Sequence, residues 1–199
     1  MRETTFSPFT PQRKAVGVND KFGNKGIKNQ QGSTVIKYDT LPLDGRSEYR
    51  FFENSTQRNF PFSNTGSDGN KLGVGSTLVV ERAYLSIVTQ DVVTGAFTSV
   101  EPLTLTTTNP NILLSELSVS IANSEVIKNV PVLSWLPEFN KIAENAINTN
   151  FEFDTQVVIP PLLEYVCVLR LPVGVTDRGL FIRLTIEGTG AIIAPRTTF

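Results

Sequence analysis

The chain has 199 residues, 18 Lys/Arg against 19 Asp/Glu, 40% hydrophobic and 19% charged residues, and no histidine, a size and composition that suit one sizeable all-β domain. The missing histidine excludes a Ser-His-Asp or Cys-His nucleophile system, and the single cysteine, Cys167, excludes an intrachain disulfide and a cysteine-built zinc site. Charge is split along the chain: residues 1–33 hold six cations (Arg2, Arg13, Lys14, Lys21, Lys25, Lys28) against two anions, a net +4, which leaves the rest at −5.

Residues 1–33 show no sustained period of 2 or 3.6, and Gly17, Gly23, Gly26 and Gly32 recur among Asn and Gln. Little apolar surface is available there to offset the entropy of ordering, so the segment reads as a flexible basic N-terminal arm. Its first ten residues are polar and carry Pro8, a pattern unlike the apolar stretch of a secretory signal. No run approaches the roughly 18 to 20 apolar residues of a membrane-spanning helix, so a soluble domain is expected for residues 34–199.

Beyond Val35, short Val/Ile/Thr-rich runs bounded by Gly, Pro, Asn and Asp predict strands. Residues 46–53 read as the first clear strand and 76–90 as a long one. Between them, 54–75 read as a long loop with a short strand around 59–63. Leu117, Val119 and Ile121 alternate with Ser118, Ser120 and Ala122, and the run around Val126, Lys128 and Val130 follows Asn123-Ser124, which predicts a hairpin. Residues 137–147 depart from this pattern. Phe139, Ile142, Ala143, Ala146 and Ile147 form one apolar stripe behind Pro137, predicting a short amphipathic helix. Tyr165, Cys167, Leu169 and Leu171, then Leu180, Ile182, Leu184 and Ile186, mark two half-buried strands joined by a hairpin or a sheet-crossing turn.

These elements predict an all-β fold: an eight-stranded jelly-roll β-sandwich with one short inserted helix and an extended N-terminal arm. An immunoglobulin-like sandwich ranks below it, because Cys167 has no partner and Trp135 sits beside Pro137 rather than in a strand between cysteines.

Catalytic and ligand motifs are weak. Glu152 and Asp154 flank Phe153 and would share one face of a strand, the minimum for paired-carboxylate chemistry, but a solvated edge is the expected reading. Gly66, Gly69, Gly73 and Gly75 surround Lys71 without the Walker spacing, and Asp68-Gly69-Asn70 lacks the remaining oxygen ligands of a calcium loop. No enzyme activity, cofactor, metal or small-molecule substrate is therefore expected. Phe51, Phe52, Phe60 and Phe62 with Arg50 and Arg58 could stack bases or sugars, although core burial or subunit contact is expected. Arg170 and Arg183 are expected to pair with Glu164 or Glu187 across a sheet. The six arm cations can each neutralise a phosphate without reading sequence, so the arm is a candidate nucleic-acid-binding or inner-surface segment.

The arm over residues 2–28, the strand-rich body over 46–193, the inserted helix at 137–147, and segments such as Phe60-Pro61-Phe62-Ser63-Asn64 and Val80-Glu81-Arg82-Ala83-Tyr84 together resemble the single jelly-roll capsid proteins of small icosahedral viruses, particularly tailless bacteriophages. The arm's charge is modest beside arms that condense a genome. The resemblance implies a virion structural protein that self-assembles into a capsid shell. The arm would lie on the inner face, contacting neighbouring subunits, viral nucleic acid or an internal lipid membrane. Partners would be copies of itself and other virion proteins, with Phe60, Phe62, Trp135 and Leu136 as subunit-interface anchors. A receptor- or glycan-binding sandwich, as in a spike, fibre or minor vertex protein, is the alternative.

Overall fold

The computed structural model describes residues 30–53, 60–65, 70–105, 108–136 and 150–193, and within the leader Ala15, Val18 and Lys21. Its strands are β1 (Gln30–Asp44), β2 (Glu48–Phe51), β3 (Thr77–Gln90), β4 (Phe97–Pro102), β5 (Glu116–Ile121), β6 (Ser124–Pro131), β7 (Asn150–Ile159), β8 (Tyr165–Arg170) and β9 (Thr176–Ile193). A one-turn helix, α1 (Pro110–Leu113), precedes β5, and a 3-10 turn (Val132–Trp135) follows β6. Pro110 at the first helical position and the Asn109 side chain accepting from Asn111 N–H explain where α1 starts. The predicted helix at 137–147 lies outside the described residues.

All pairings between these strands are antiparallel and they make two sheets. One runs β1-β9-β3, with β4 and β7 sharing the far edge of β3: β7 pairs with residues 78–84 and β4 with residues 86–90. The other runs β2-β8-β5-β6. The chain is thus an all-β sandwich with nine strands among the described residues. The segment between β8 and β9 crosses from one sheet to the other, so the sheet-crossing alternative holds rather than the hairpin. The β5–β6 hairpin forms, with Ala122 and Asn123 as its turn residues in place of Asn123-Ser124.

The core lies between the sheets and is filled by alternating positions that the pattern singled out, Leu117, Cys167, Leu169, Ile182 and Leu184, together with Leu78 and Leu85 of β3. Each fully buried side chain of this size is worth about 1.5–3 kcal/mol of transfer free energy. A bulge in β3 between Val80 and Arg82 restores the pattern after a break of one residue, so Val80 before it and Ala83 after it both face the core.

Two boundaries differ from the sequence reading. The first strand is β1, not the segment at 46–53, and it begins at Gln30, inside the leader drawn as 1–33. Gly32 and Ser33 are held there by pairing with Ala191 and Gly190. At one end of the sandwich the β1–β2 and β8–β9 connections touch: Gly45 N–H donates to the Val175 carbonyl at 3.0 Å. Gly45 has a φ of 91°, and a Cβ on Gly174 would lie 1.9 Å from the Gly45 carbonyl oxygen, so glycine is required at both.

Candidate interaction surfaces

The free edge of β1 is covered by residues 60–65. Ser63 bridges Asp39 in antiparallel fashion, and the Asn64 side chain completes the ladder: its Oδ1 accepts from Tyr38 N–H and its Nδ2 donates to the Ile36 carbonyl, both at 2.8 Å. A side-chain amide thereby does what a neighbouring strand would do for an edge. From this strap Phe62 reaches over the outer face of the first sheet and packs against Phe97 and Phe181, with ring centres 5.1 and 5.7 Å away. Arg183 ties the strap down, donating from Nη2 to the Pro61 carbonyl at 3.1 Å and from Nε to Thr40 Oγ1 at 2.9 Å. Burial pulls the Arg183 pKa below the ordinary guanidinium value, opposed by the Tyr38 ring system beneath it. At the tip of the strap Phe60 is 84% exposed.

Further along the same face stands a polar network. Tyr84 donates to Glu187, Thr189 donates to Glu81 at 3.1 Å, and Arg82 pairs with Glu152 at 3.4 Å. Burial and then the Glu187 carboxylate raise the Tyr84 pKa, so its hydroxyl stays a donor. Beyond it, Val79 and Ala191 are covered by Ala15, which is fully buried and helical in backbone. Ala15 of the leader therefore packs on the sheet at this point. Three small or β-branched residues meeting there give a contact that needs no long side chain.

The β3–β4 turn is built to hold two valines in solvent. The Asp91 carboxylate accepts from Val93 N–H at 2.7 Å and Thr94 N–H at 2.9 Å, and Gln90 Nε2 donates to the Gly95 carbonyl at 2.7 Å. These backbone hydrogen bonds hold the Asp91 pKa below the usual carboxylate range. On this framework Val92 is 71% and Val93 89% exposed. Leu114 after α1 and Val173 in the β8–β9 connection are also exposed, in connections at the same end of the sandwich. On the outer face of the second sheet lies an open groove of about 350 Å³, floored by Ser118, Ser120, Val166 and Val168 and flanked by Arg50 and Arg170.

The anchors expected from sequence separate into two groups. Phe60 is exposed and Phe62 half-buried, whereas Trp135 and Leu136 belong to the core and are corrected accordingly. Trp135 stacks on Phe151 of β7 with ring centres 5.5 Å apart, because the 3-10 turn rolls it inward between the sheets. The stacking platform does not form: Phe51 and Phe52 are buried, and Arg50 is paired with Glu48 and Glu53. Arg170 pairs with Glu48 rather than Glu164, since β2 and not β9 lies beside β8. Glu164 pairs with Lys71, and Arg183 takes Thr40 and Pro61 instead of Glu187. Glu152 is neutralised by Arg82. Of the arm cations, Lys21 is exposed; Arg2, Arg13, Lys14, Lys25 and Lys28 lie outside the described residues, as does Arg58.

The exposed Val92-Val93 pair escaped the sequence reading. Its signal was two adjacent valines beside Asp91 and ahead of Thr94-Gly95, apolar residues in a turn composition.

Among the described residues, no group of three or more His, Cys, Asp or Glu is placed to hold a metal ion, and no helix is long and apolar enough to cross a membrane. No protein-family model matches the chain, and no curated protein matches it.

Proposed function

We propose that the sandwich is a jelly roll with β4 added to its first sheet, and that the protein is a structural subunit of a virion shell. The jelly-roll reading is supported by the nesting of the strand pairs. β1 pairs with β9, β2 with β8, β3 with β7 and β5 with β6, as in one long hairpin rolled over itself into two four-stranded sheets. In this reading the wall of the shell is the sandwich, the connections at its ends meet neighbouring copies, and the basic leader lies on the inner face.

The observation that carries the assembly reading is the β3–β4 turn. Its hydrogen bonds fix the backbone while exposing Val92 and Val93, an arrangement that costs solvation in a lone subunit and is recovered when a partner covers them. The test is electron microscopy and light scattering of the full chain at increasing concentration. Rings or closed shells are expected, and deletion of residues 1–29, which leaves β1 whole, should abolish them or their uniform size. A protein that stays monomeric throughout would refute the reading.

The groove on the second sheet favours a second reading, a glycan- or receptor-binding virion protein. Its hydroxyl floor, the Asn123 amide, and flanking side chains of both charges, Arg50 and Arg170 with Glu125 and Glu164, suit polar uncharged ligands. That reading expects saturable binding on a glycan array, retained when residues 1–29 are removed.

A further inference from the structure

At the opposite end of the sandwich from the valine turn, a cavity of about 290 Å³ opens beside β1. Its polar wall is Lys37, Thr65, Lys71, Ser76 and Thr77, and its apolar wall includes Val35 and Leu72. Lys71 is fixed in place: it bridges Glu164 through the backbone, and its ammonium pairs with the Glu164 carboxylate at 3.1 Å. Lys37 is different. It alternates in β1 with outward residues and sits in step with core-packed Val35 and Leu41, half-buried. Burial lowers its pKa, and no carboxylate is paired with it among the described residues.

A partly desolvated ammonium without a counter-charge is costly. One structural purpose is available, because an inward-pointing charge on an edge strand discourages pairing with another chain. Here that purpose is already served. The Tyr38 N–H and the Ile36 and Tyr38 carbonyls that an intruding strand would need are taken by Asn64 and Ser63. Lys37 is left facing a cavity whose other polar side chains among the described residues are Lys71, already paired with Glu164, and the hydroxyls of Thr65, Ser76 and Thr77.

We propose that this cavity binds a small phosphate dianion, held between the Lys37 and Lys71 ammonium groups with the Thr65 and Ser76 hydroxyls as further donors. The Lys37 charge and the Lys71 ammonium, shared with Glu164, favour an oxyanion, and rotatable hydroxyls match oxygens arranged tetrahedrally. The volume admits inorganic phosphate or the phosphate end of a small monoester. This site is independent of whether the protein builds shells.

The experiment titrates the full chain with inorganic phosphate, glycerol phosphate and dimethyl phosphate at constant ionic strength set by chloride, reading melting temperature and heat of binding. Phosphate and the monoester should each give a saturable rise in melting temperature, and dimethyl phosphate, which carries one charge, none. Lys37→Met should melt no lower than the parent protein without phosphate, since it removes the unpaired ammonium, and should weaken phosphate binding at least tenfold. Lys71→Gln, at a more exposed position, should weaken it severalfold and decides between the outcomes if Lys37→Met does not fold. An absence of saturable response, an equal response to dimethyl phosphate, or full binding retained by both variants would each overturn the proposal.

Discussion

The carboxylate of Asp39, in β1 of the first sheet, accepts a hydrogen bond of 2.8 Å from the backbone N–H of Phe52, just past β2 in the second. Its other oxygen accepts from Thr40 N–H at 3.0 Å. Phe52 has a φ of 63°, a region that a bulky residue rarely enters, and its ring packs on Tyr165 with centres 5.3 Å apart. Asp39 thus holds a strained corner that turns the chain inward from one sheet to the other. Asp39→Ala should lower stability by about 3 kcal/mol, in line with the loss of hydrogen bonds to a charged acceptor and an orphaned buried N–H. Urea denaturation measures this, and a change under about 0.5 kcal/mol would show that packing alone shapes the corner.

Trp135 and Phe60 look alike in sequence and should behave in opposite ways. Trp135→Ala removes a ring that is 1% exposed and should cost about 3–5 kcal/mol. Phe60→Ser should leave the subunit's melting curve where it was and weaken association. Equal losses of stability in the two variants would contradict the placement of Phe60 in solvent.

The valine turn provides the sharpest separation of folding from assembly. Val92→Ser with Val93→Ser should change subunit stability by less than about 0.5 kcal/mol, as expected of exposed positions. The same double variant should lose particle formation as read by light scattering. Particles forming at the parent concentration would remove this turn from the interface.

Arg183 and Asn64 secure the strap from two directions. Arg183→Met gives up the guanidinium over the Tyr38 ring and the hydrogen bonds to Thr40 and Pro61, and should speed limited proteolysis within the strap. Asn64→Leu uncovers the Tyr38 N–H and Ile36 carbonyl, so it should also produce concentration-dependent association through the bared edge. Sedimentation at several concentrations distinguishes the two outcomes.

Alkaline pH should destabilise the protein through buried acids. Burial pushes the Cys167 thiol from its ordinary value of 9.0 up to about 12 and raises the Tyr165 hydroxyl as well. The unfolded chain releases these protons first, so their contribution to stability is intact below about pH 9 and is lost as pH climbs toward the folded values. Urea midpoints at rising pH should fall accordingly, and Cys167→Val should flatten the decline. A midpoint that holds steady through pH 11 would argue against a sealed core at this position.

What could be read from the residues follows from where each strand sits. β5, β8 and the second half of β9 have one face in the core, so period-2 alternation marks them plainly. β1 is hidden because its core-side positions include Lys37 and Asp39, which break the apolar rhythm, and because Gly32 and Ser33 look like linker. β4 is an edge strand with most residues exposed and carries little pattern. The ion pairs differ from expectation for another reason: Glu48 faces Arg170 only because β2 lies beside β8, a fact of strand order that neighbouring residues do not encode. Trp135 resembles a loop anchor since Pro137 follows it, and only the 3-10 turn reveals that the ring is swung inside.

The pairing of β1 with β9 has a consequence for how the chain is made. Every strand partner of β1 lies between Thr176 and Ile193, so a chain emerging from the ribosome carries its first strand for more than 130 residues before the matching one appears. During that interval β1 can lean only on the strap and on local contacts, and closing so long a loop is slow. Synthesis of β9 is therefore the committing event, and a nascent chain halted before it should remain a target for chaperones and proteases.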